Sequence, residues 1–292
     1  MNKVFIVSSL LILSTAFWVT AQIRSQTKTV TLPINITLEY VEQGKAKGIP
    51  VILLHGFTDS WYSFSRVLPH LPADMHVYAI SMRGHGNSTR PENGYQPQDF
   101  AGDVSAFMKA LRIGPAIVVG HSFGSLVAQQ MAIDHPRQVQ GLVLIGTFAN
   151  VAANPELADM KGLMSGLSDP IDSKFVEQFQ KSTLAQPVPE PFINTVVNES
   201  LKVPAHVWKS AMEGFLPVNN VTALKKFSKP TLILWGGKDG LCPRADQDML
   251  VHAIKGAQLF EYENAGHGLH WEEPEHFAFD LLAFSRIVKN NN

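Results

Sequence analysis

Gly120-His121-Ser122-Phe123-Gly124 follows the β-branched run Ala116-Ile117-Val118-Val119 and precedes an apolar, helix-like stretch from Leu126 to His135. A serine flanked at two positions on either side by glycine, between a strand and a helix, sits on a sharp, strained turn. The glycines remove the side-chain clashes that such a turn would create. The turn lifts the serine hydroxyl out of the sheet, where a nucleophile has to be. The bare pattern occurs by chance in roughly one chain in ten of this length, so its weight comes from the flanking strand and helix and from residues further along.

A serine hydroxyl is a weak nucleophile at neutral pH and needs a base, which in turn needs an orienting carboxylate. In open α/β sheets the functional groups gather where strands end. Two such groups follow Ser122. Asp239 lies just beyond Thr231-Leu232-Ile233-Leu234-Trp235, and His267 stands in Ala265-Gly266-His267-Gly268 after the strand Gln258 to Tyr262. The order Ser122, Asp239, His267 is the expected one for this arrangement. His270 is expected to support the loop, and His121 to point away from the serine. Asp246 and Asp248 are expected to be solvated on the next helix. After Ile145 the chain reads Gly146-Thr147-Phe148-Ala149-Asn150, with no acid to serve instead. The oxyanion donors are expected to be the backbone N–H of Phe123, at a helix start, and that of Phe57, after the strand Pro50 to Leu54. His55 is expected to brace that loop.

The alternation of strands and helices predicts a mostly parallel, doubly wound α/β sheet. Thr29 to Tyr40 pairs strands at its start, and Thr58-Asp59 is expected to cap a helix carrying Trp61, Phe64, Val67, Leu68 and Leu71. The alternation stops between residues 148 and 221, where proline-broken amphipathic segments predict a helical insertion after the sixth strand. The resulting division is a core in two parts, 28–147 and 222–289, around the insertion 148–221.

With 292 residues, 45% of them hydrophobic, the chain can bury a large core. A formal net charge of −1 without basic runs gives nucleic-acid binding no electrostatic support. The single cysteine, Cys242, excludes an intrachain disulfide and a cysteine-based metal cluster. No metal and no cofactor is expected. Lys3, the apolar run from Val4 to Leu13 and the exit Val19-Thr20-Ala21 read as a signal peptide over residues 1–21. The expected location is therefore exported, periplasmic or secreted. The alternative is an uncleaved N-terminal anchor, since Val4 to Ala21 is about long enough to span a bilayer.

His55-Gly56-Phe57, Arg83-Gly84-His85-Gly86-Asn87-Ser88, the Ser122 motif, Gly237-Lys238-Asp239, Gly266-His267 and Trp271-Glu272-Glu273-Pro274 together resemble the α/β-hydrolase superfamily. The branch is the one that includes carboxylesterases, C–C hydrolases, cofactor-free perhydrolase relatives, epoxide hydrolases and haloalkane dehalogenases. The resemblance runs from about Thr29 to Lys289. It implies that the insertion caps the site and sets substrate choice. Relatives that open epoxides or remove halide carry aspartate at the position of Ser122, so a serine implies an acyl-enzyme and ester, thioester or activated carbonyl substrates, with a small to medium apolar ester as the first expectation. C–C bonds, lactones or amides remain alternatives, as does a slow-turnover ligand receptor. Trp61, Phe57, Phe123 and Phe148 are candidate pocket residues. One departure is Ser81, two residues before Arg83, where the family usually has an aspartate that braces the loop.

Overall fold

A computed structural model describes residues 26–33 and 35–291. The signal-peptide segment, residues 1–21, lies outside the described residues. In chain order the elements are β1 (Thr27–Thr31), β2 (Thr37–Gln43), β3 (Ile49–Leu54), β4 (Met75–Ser81), α1 (Pro97–Ala110), β5 (Ala116–His121), α2 (Phe123–Asp134) and β6 (Val139–Ile145). They continue with α3 (Pro155–Ser165), α4 (Ser173–Ser182), α5 (Glu190–Leu201), α6 (Ala205–Phe215), α7 (Val221–Leu224), β7 (Thr231–Gly236), α8 (Arg244–Ala253), β8 (Gln258–Tyr262), α9 (Leu269–Glu272) and α10 (Pro274–Asn290).

The strands form one sheet in the order β1-β2-β4-β3-β5-β6-β7-β8. The β1–β2 and β2–β4 pairs are antiparallel and the pairs from β4 to β8 are parallel. This is the α/β architecture that the alternation predicts. Every residue of β5 is buried, and successive side chains divide between two cores as the pleat requires. Ile52, Leu54, Val118, Leu142 and Leu144 face one core with α1 and α2. Val51, Leu53, Ile117, Val119, Val143 and Ile145 face the other. There Phe277, Leu281, Phe284 and Val288 of α10 close the face at helical spacing.

Two expectations are corrected here. The segment after Asp59 is not an α-helix but two short 3-10 turns, Trp61–Phe64 and Leu68–His70. Ser60, not Thr58 or Asp59, caps the first through a bond from Tyr62 N–H, and Pro69 sits inside the second, where an α-helical N–H would be needed. Asp246 on α8 is buried rather than solvated, and its carboxylate accepts the backbone N–H of Ala149 at 2.9 Å. Asp248 is exposed beside Arg244, as expected.

The missing aspartate at position 81 has a replacement. Glu39 on β2 is 3% exposed. Its carboxylate accepts the Ser81 hydroxyl at 3.0 Å, Asn87 N–H at 3.1 Å and the Asn87 amide at 2.6 Å. The bracing carboxylate thus reaches the Arg83–Ser88 loop from the neighbouring strand. Arg83 closes the other side with two 2.6 Å bonds to Asp103 of α1, a bidentate geometry.

Four imidazoles are buried around this loop and the Ser122 turn: His55, His85, His121 and His270. His55 braces its loop as expected, through Gly56 O at 2.8 Å and a bond from Met82 N–H at 3.0 Å. The second bond requires a bare Nε2, so protonating that atom would break it. Burial drives all four toward the neutral form, His85 to about 4, His121 to about 3, and His55 and His270 well below the ordinary value. An unfolded imidazole takes up a proton below about pH 6.5, while these folded ones do not. Stability from them is therefore present above that pH and is lost as pH falls, at about 1.4 kcal/mol per pH unit for each proton. Asp59, a buried carboxyl pushed up to about 7, acts in the opposite sense over the same window. Asp103, Asp246 and Glu272, also raised by burial, act in the same sense as Asp59 but are shifted less, so the four imidazoles dominate and the unfolding free energy should fall between pH 6.5 and 5. Urea unfolding across that range tests this; a constant or rising midpoint on acidification would contradict it.

Candidate active site

Ser122 follows β5 at φ 51° and ψ −118°. This is a sparsely populated conformation for a residue with a side chain, costing about 1–3 kcal/mol. The surrounding backbone imposes it. Ser122 N–H donates to Ile145 O at 2.9 Å and Ser125 N–H returns to Ser122 O at 2.8 Å. A Cβ on Gly120 would collide with the carbonyl of Gly124, and one on Gly124 with the carbonyls of Leu54 and His55. The two glycines thus let β3, β5 and the start of α2 meet at the turn.

Asp239 lies three residues past β7 and His267 five past β8. The two meet through a 2.9 Å bond from His267 Nδ1 to Asp239 Oδ2, with side chains 4% and 0% exposed. Asp239 Oδ1 accepts the N–H groups of Leu241 and Cys242 at 2.8 and 3.0 Å. Burial raises the Asp239 pKa, but the neighbouring His267 and these hydrogen bonds outweigh it and leave the carboxyl below its ordinary value, hence ionised. Gly146, at φ 48°, makes room for the pair: a Cβ there would come within 3.0 Å of His267 Nδ1 and 3.2 Å of Asp239 Oδ2.

With Nδ1 held by Asp239, Nε2 is the atom of His267 left for chemistry. Ser122 and His267 line one cavity. No hydrogen bond joins the Ser122 hydroxyl to His267 among the described residues; in ligand-free sites such bonds are often long and tighten with substrate. Phe57 and Phe123 line the same cavity. Phe123 is the first residue of α2, so its N–H has no partner within the helix.

His121 faces the base loop rather than the serine, its Nε2 3.0 Å from His267 O. His270 supports the loop through Ser63, 3.1 Å away, as expected. Phe148 lines the cavity with Phe57 and Phe123, but Trp61 does not; it stacks edge-on against Tyr62. The donor atoms of Asp239, Cys242 and His267 lie within 4.8 Å of one another, which is metal-ligand spacing. Each is already committed, however. The Cys242 thiol donates to Gly146 O at 3.0 Å, and burial pushes it toward the protonated form, which is not a ligand.

The helices between β6 and β7 supply Leu157, Met160, Phe179, Met212 and Phe215 to the cavity wall, which carries no Lys or Arg among the described residues. Asp59 and Gln180 also line it and are absent from the sequence-derived site. Asp59 stands in His55-Gly56-Phe57-Thr58-Asp59, where its position reads equally as a helix cap. Gln180 lies on an amphipathic helix of the insertion, where nothing in the chain marks it out.

The description "alpha/beta hydrolase fold" belongs to the family model that matches residues 49–274. A pimeloyl-[acyl-carrier protein] methyl ester esterase of Neisseria meningitidis is 28% identical over 235 residues, covering 78% of this chain and 89% of its own. A non-heme chloroperoxidase of Streptomyces lividans is 28% identical over 277 residues, 88% and 98% of the two chains. A 2-hydroxymuconate semialdehyde hydrolase of a Pseudomonas strain is 27% identical over 247 residues, 79% and 83%. Among solved structures, an esterase from Exiguobacterium antarcticum shares the fold with a TM-score of 0.80 at 22% identity, covering 89% of this chain and all of its own. The family match over most of the described residues, on an eight-stranded sheet with Ser122, Asp239 and His267 at its strand ends, means that the chain belongs to the α/β hydrolase fold family.

Proposed function

We propose that this hydrolase is an exported serine esterase that cleaves carboxylic esters of small to medium apolar acids through an acyl-enzyme on Ser122. The observation that carries the reading is the 2.9 Å Asp239–His267 bond beside a serine held at positive φ in the same cavity. His267 Nε2 takes the Ser122 proton as the hydroxyl attacks the ester carbonyl, and Asp239 stabilises the imidazolium that forms. The carbonyl oxygen, now carrying negative charge, is received by the N–H groups of Phe57 and Phe123. The imidazolium then protonates the leaving alcohol. In the second half-reaction water attacks the acyl-enzyme, His267 accepts its proton, and the acid leaves as Ser122 regains its own.

The cavity wall favours a neutral acyl group. Its phenylalanines, leucines and methionines offer apolar contact, and among the described residues it has no Lys or Arg to pair with an anionic substrate. That distinguishes the reading from hydrolysis of a carboxylate-bearing C–C substrate, for which a relative exists. The helices of residues 148–221 act as a cap in this proposal, because they supply half of the apolar wall. Residues 1–21 act as a cleaved signal.

Two outcomes follow. Replacing Ser122 by alanine should lower hydrolysis of a short-chain nitrophenyl ester by about a thousandfold or more while leaving the melting temperature within a few degrees; a variant that keeps a tenth of the rate would remove Ser122 from the mechanism. Expressed with its own N-terminus in a bacterium, the mature protein should have an intact mass starting at Gln22. A full-length mass recovered with the membrane would instead favour the uncleaved anchor.

A further inference from the structure

The loop that carries Phe57 is held in a conformation it would not choose. Thr58 sits at φ 62°, a region that β-branched residues avoid, and is fully buried. Asp59, next in the chain, is 3% exposed and lines the active cavity. What restrains this pair comes from the insertion. The amide of Gln180, in the last turn of α4, is 1% exposed. Its Nε2 donates to Asp59 Oδ1 at 3.0 Å, lies 3.5 Å from Thr58 Oγ1, and is tied to Ser200 of α5 at 2.8 Å. From the core side, Ser63 Oγ reaches Asp59 Oδ2 at 3.4 Å, and Asp59 N–H donates to Gly56 O at 3.3 Å.

The same turn of α4 also holds the base. Thr183 O accepts the N–H of Gly268, adjacent to His267, at 3.1 Å. Two residues on, Ala185 N–H donates to Glu272, whose other oxygen accepts Gly266 N–H, so the loop is held on both sides of His267. A buried amide and a buried carboxyl on an apolar wall are costly unless bonded. Packing alone would place a leucine at 180. We propose that Gln180, acting through Asp59, is a positioning residue that holds Phe57 N–H where the oxyanion develops, so that docking of the 148–221 helices completes the transition-state site rather than only shaping the acyl pocket. This rests on the esterase reading. No group of the pair touches the reacting atoms; each acts through the placement of Phe57.

The test uses Gln180→Leu, Asp59→Ala and Asp59→Asn in the full chain. Hydrolysis of a nitrophenyl ester is measured beside the affinity of an alkyl trifluoromethyl ketone, whose hydrate-like adduct needs the oxyanion donors, and of the parent alcohol, which does not. Gln180→Leu and Asp59→Ala should lower kcat about 10- to 100-fold with KM little changed. Ketone affinity should fall in parallel while alcohol affinity stays. Asp59→Asn should recover most of what Asp59→Ala loses, because its amide oxygen still accepts the Gln180 N–H; this keeps the test open should Gln180→Leu fold poorly. Unchanged kcat and ketone affinity in both Gln180→Leu and Asp59→Ala, or equal loss of ketone and alcohol, would overturn the inference. Ser122→Ala serves as the reference. If it retains hydrolysis, the esterase reading fails; if it is inactive and Gln180→Leu is not impaired, only the positioning role fails.

Discussion

Ser122 is held at positive φ between three backbones that have no side chain between them, and the geometry of the site follows from that constraint. The carbonyls of Leu54 and His55 at the end of β3, the strand β5 and the first turn of α2 approach so closely that only hydrogens fit at 120 and 124. A strained serine persists only where its surroundings over-determine it. Here the bond to Ile145 O and the flanking buried strands do so. The same approach brings the loop after β3 alongside the N-terminus of α2, so one turn sets both Ser122 and the neighbourhood of Phe57 and Phe123.

Around that turn the interior carries a set of buried polar side chains that bond to one another. Ser63 links Asp59, His270 and Trp271, and His121 links the serine turn to the base loop. Buried networks of this kind are favourable only when their members are bonded, and they fix one arrangement where an apolar core would tolerate several. Neutral imidazoles serve the same end, since a charged histidine beside His267 would compete with it for Asp239. Helix α4 joins the network through Gln180 rather than resting on it as an apolar cover.

The sheet, its order of elements and the Asp239–His267 pair were legible because each rests on a local pattern. Apolar runs such as Pro50 to Leu54 mark strands, and Gly-x-Ser-x-Gly marks the turn. Carboxyl ends of strands then narrow the acid and base to few candidates. What stayed hidden depends on distant partners. Asp246 reads as a solvated helix residue until Ala149 N–H, about a hundred positions away, is seen to need an acceptor. Nothing in the run Thr29 to Tyr40 marks out Glu39, yet its carboxylate on β2 takes the place of the aspartate missing at Ser81. The segment around Trp61 has helical apolar spacing but contains Ser60, Ser63, Ser65 and Pro69, and local hydrogen bonding shortens it to 3-10 turns.

The most direct measurement is covalent capture of the nucleophile. An alkyl fluorophosphonate is attacked by a serine only when a neighbouring base and oxyanion donors activate it. Intact-mass and peptide mass spectrometry after treatment should show one adduct per chain, on the peptide containing Ser122, and none when His267 is replaced by alanine. Labelling that leaves Ser122 unmodified, or that proceeds equally without His267, would contradict an activated serine at the centre of this fold.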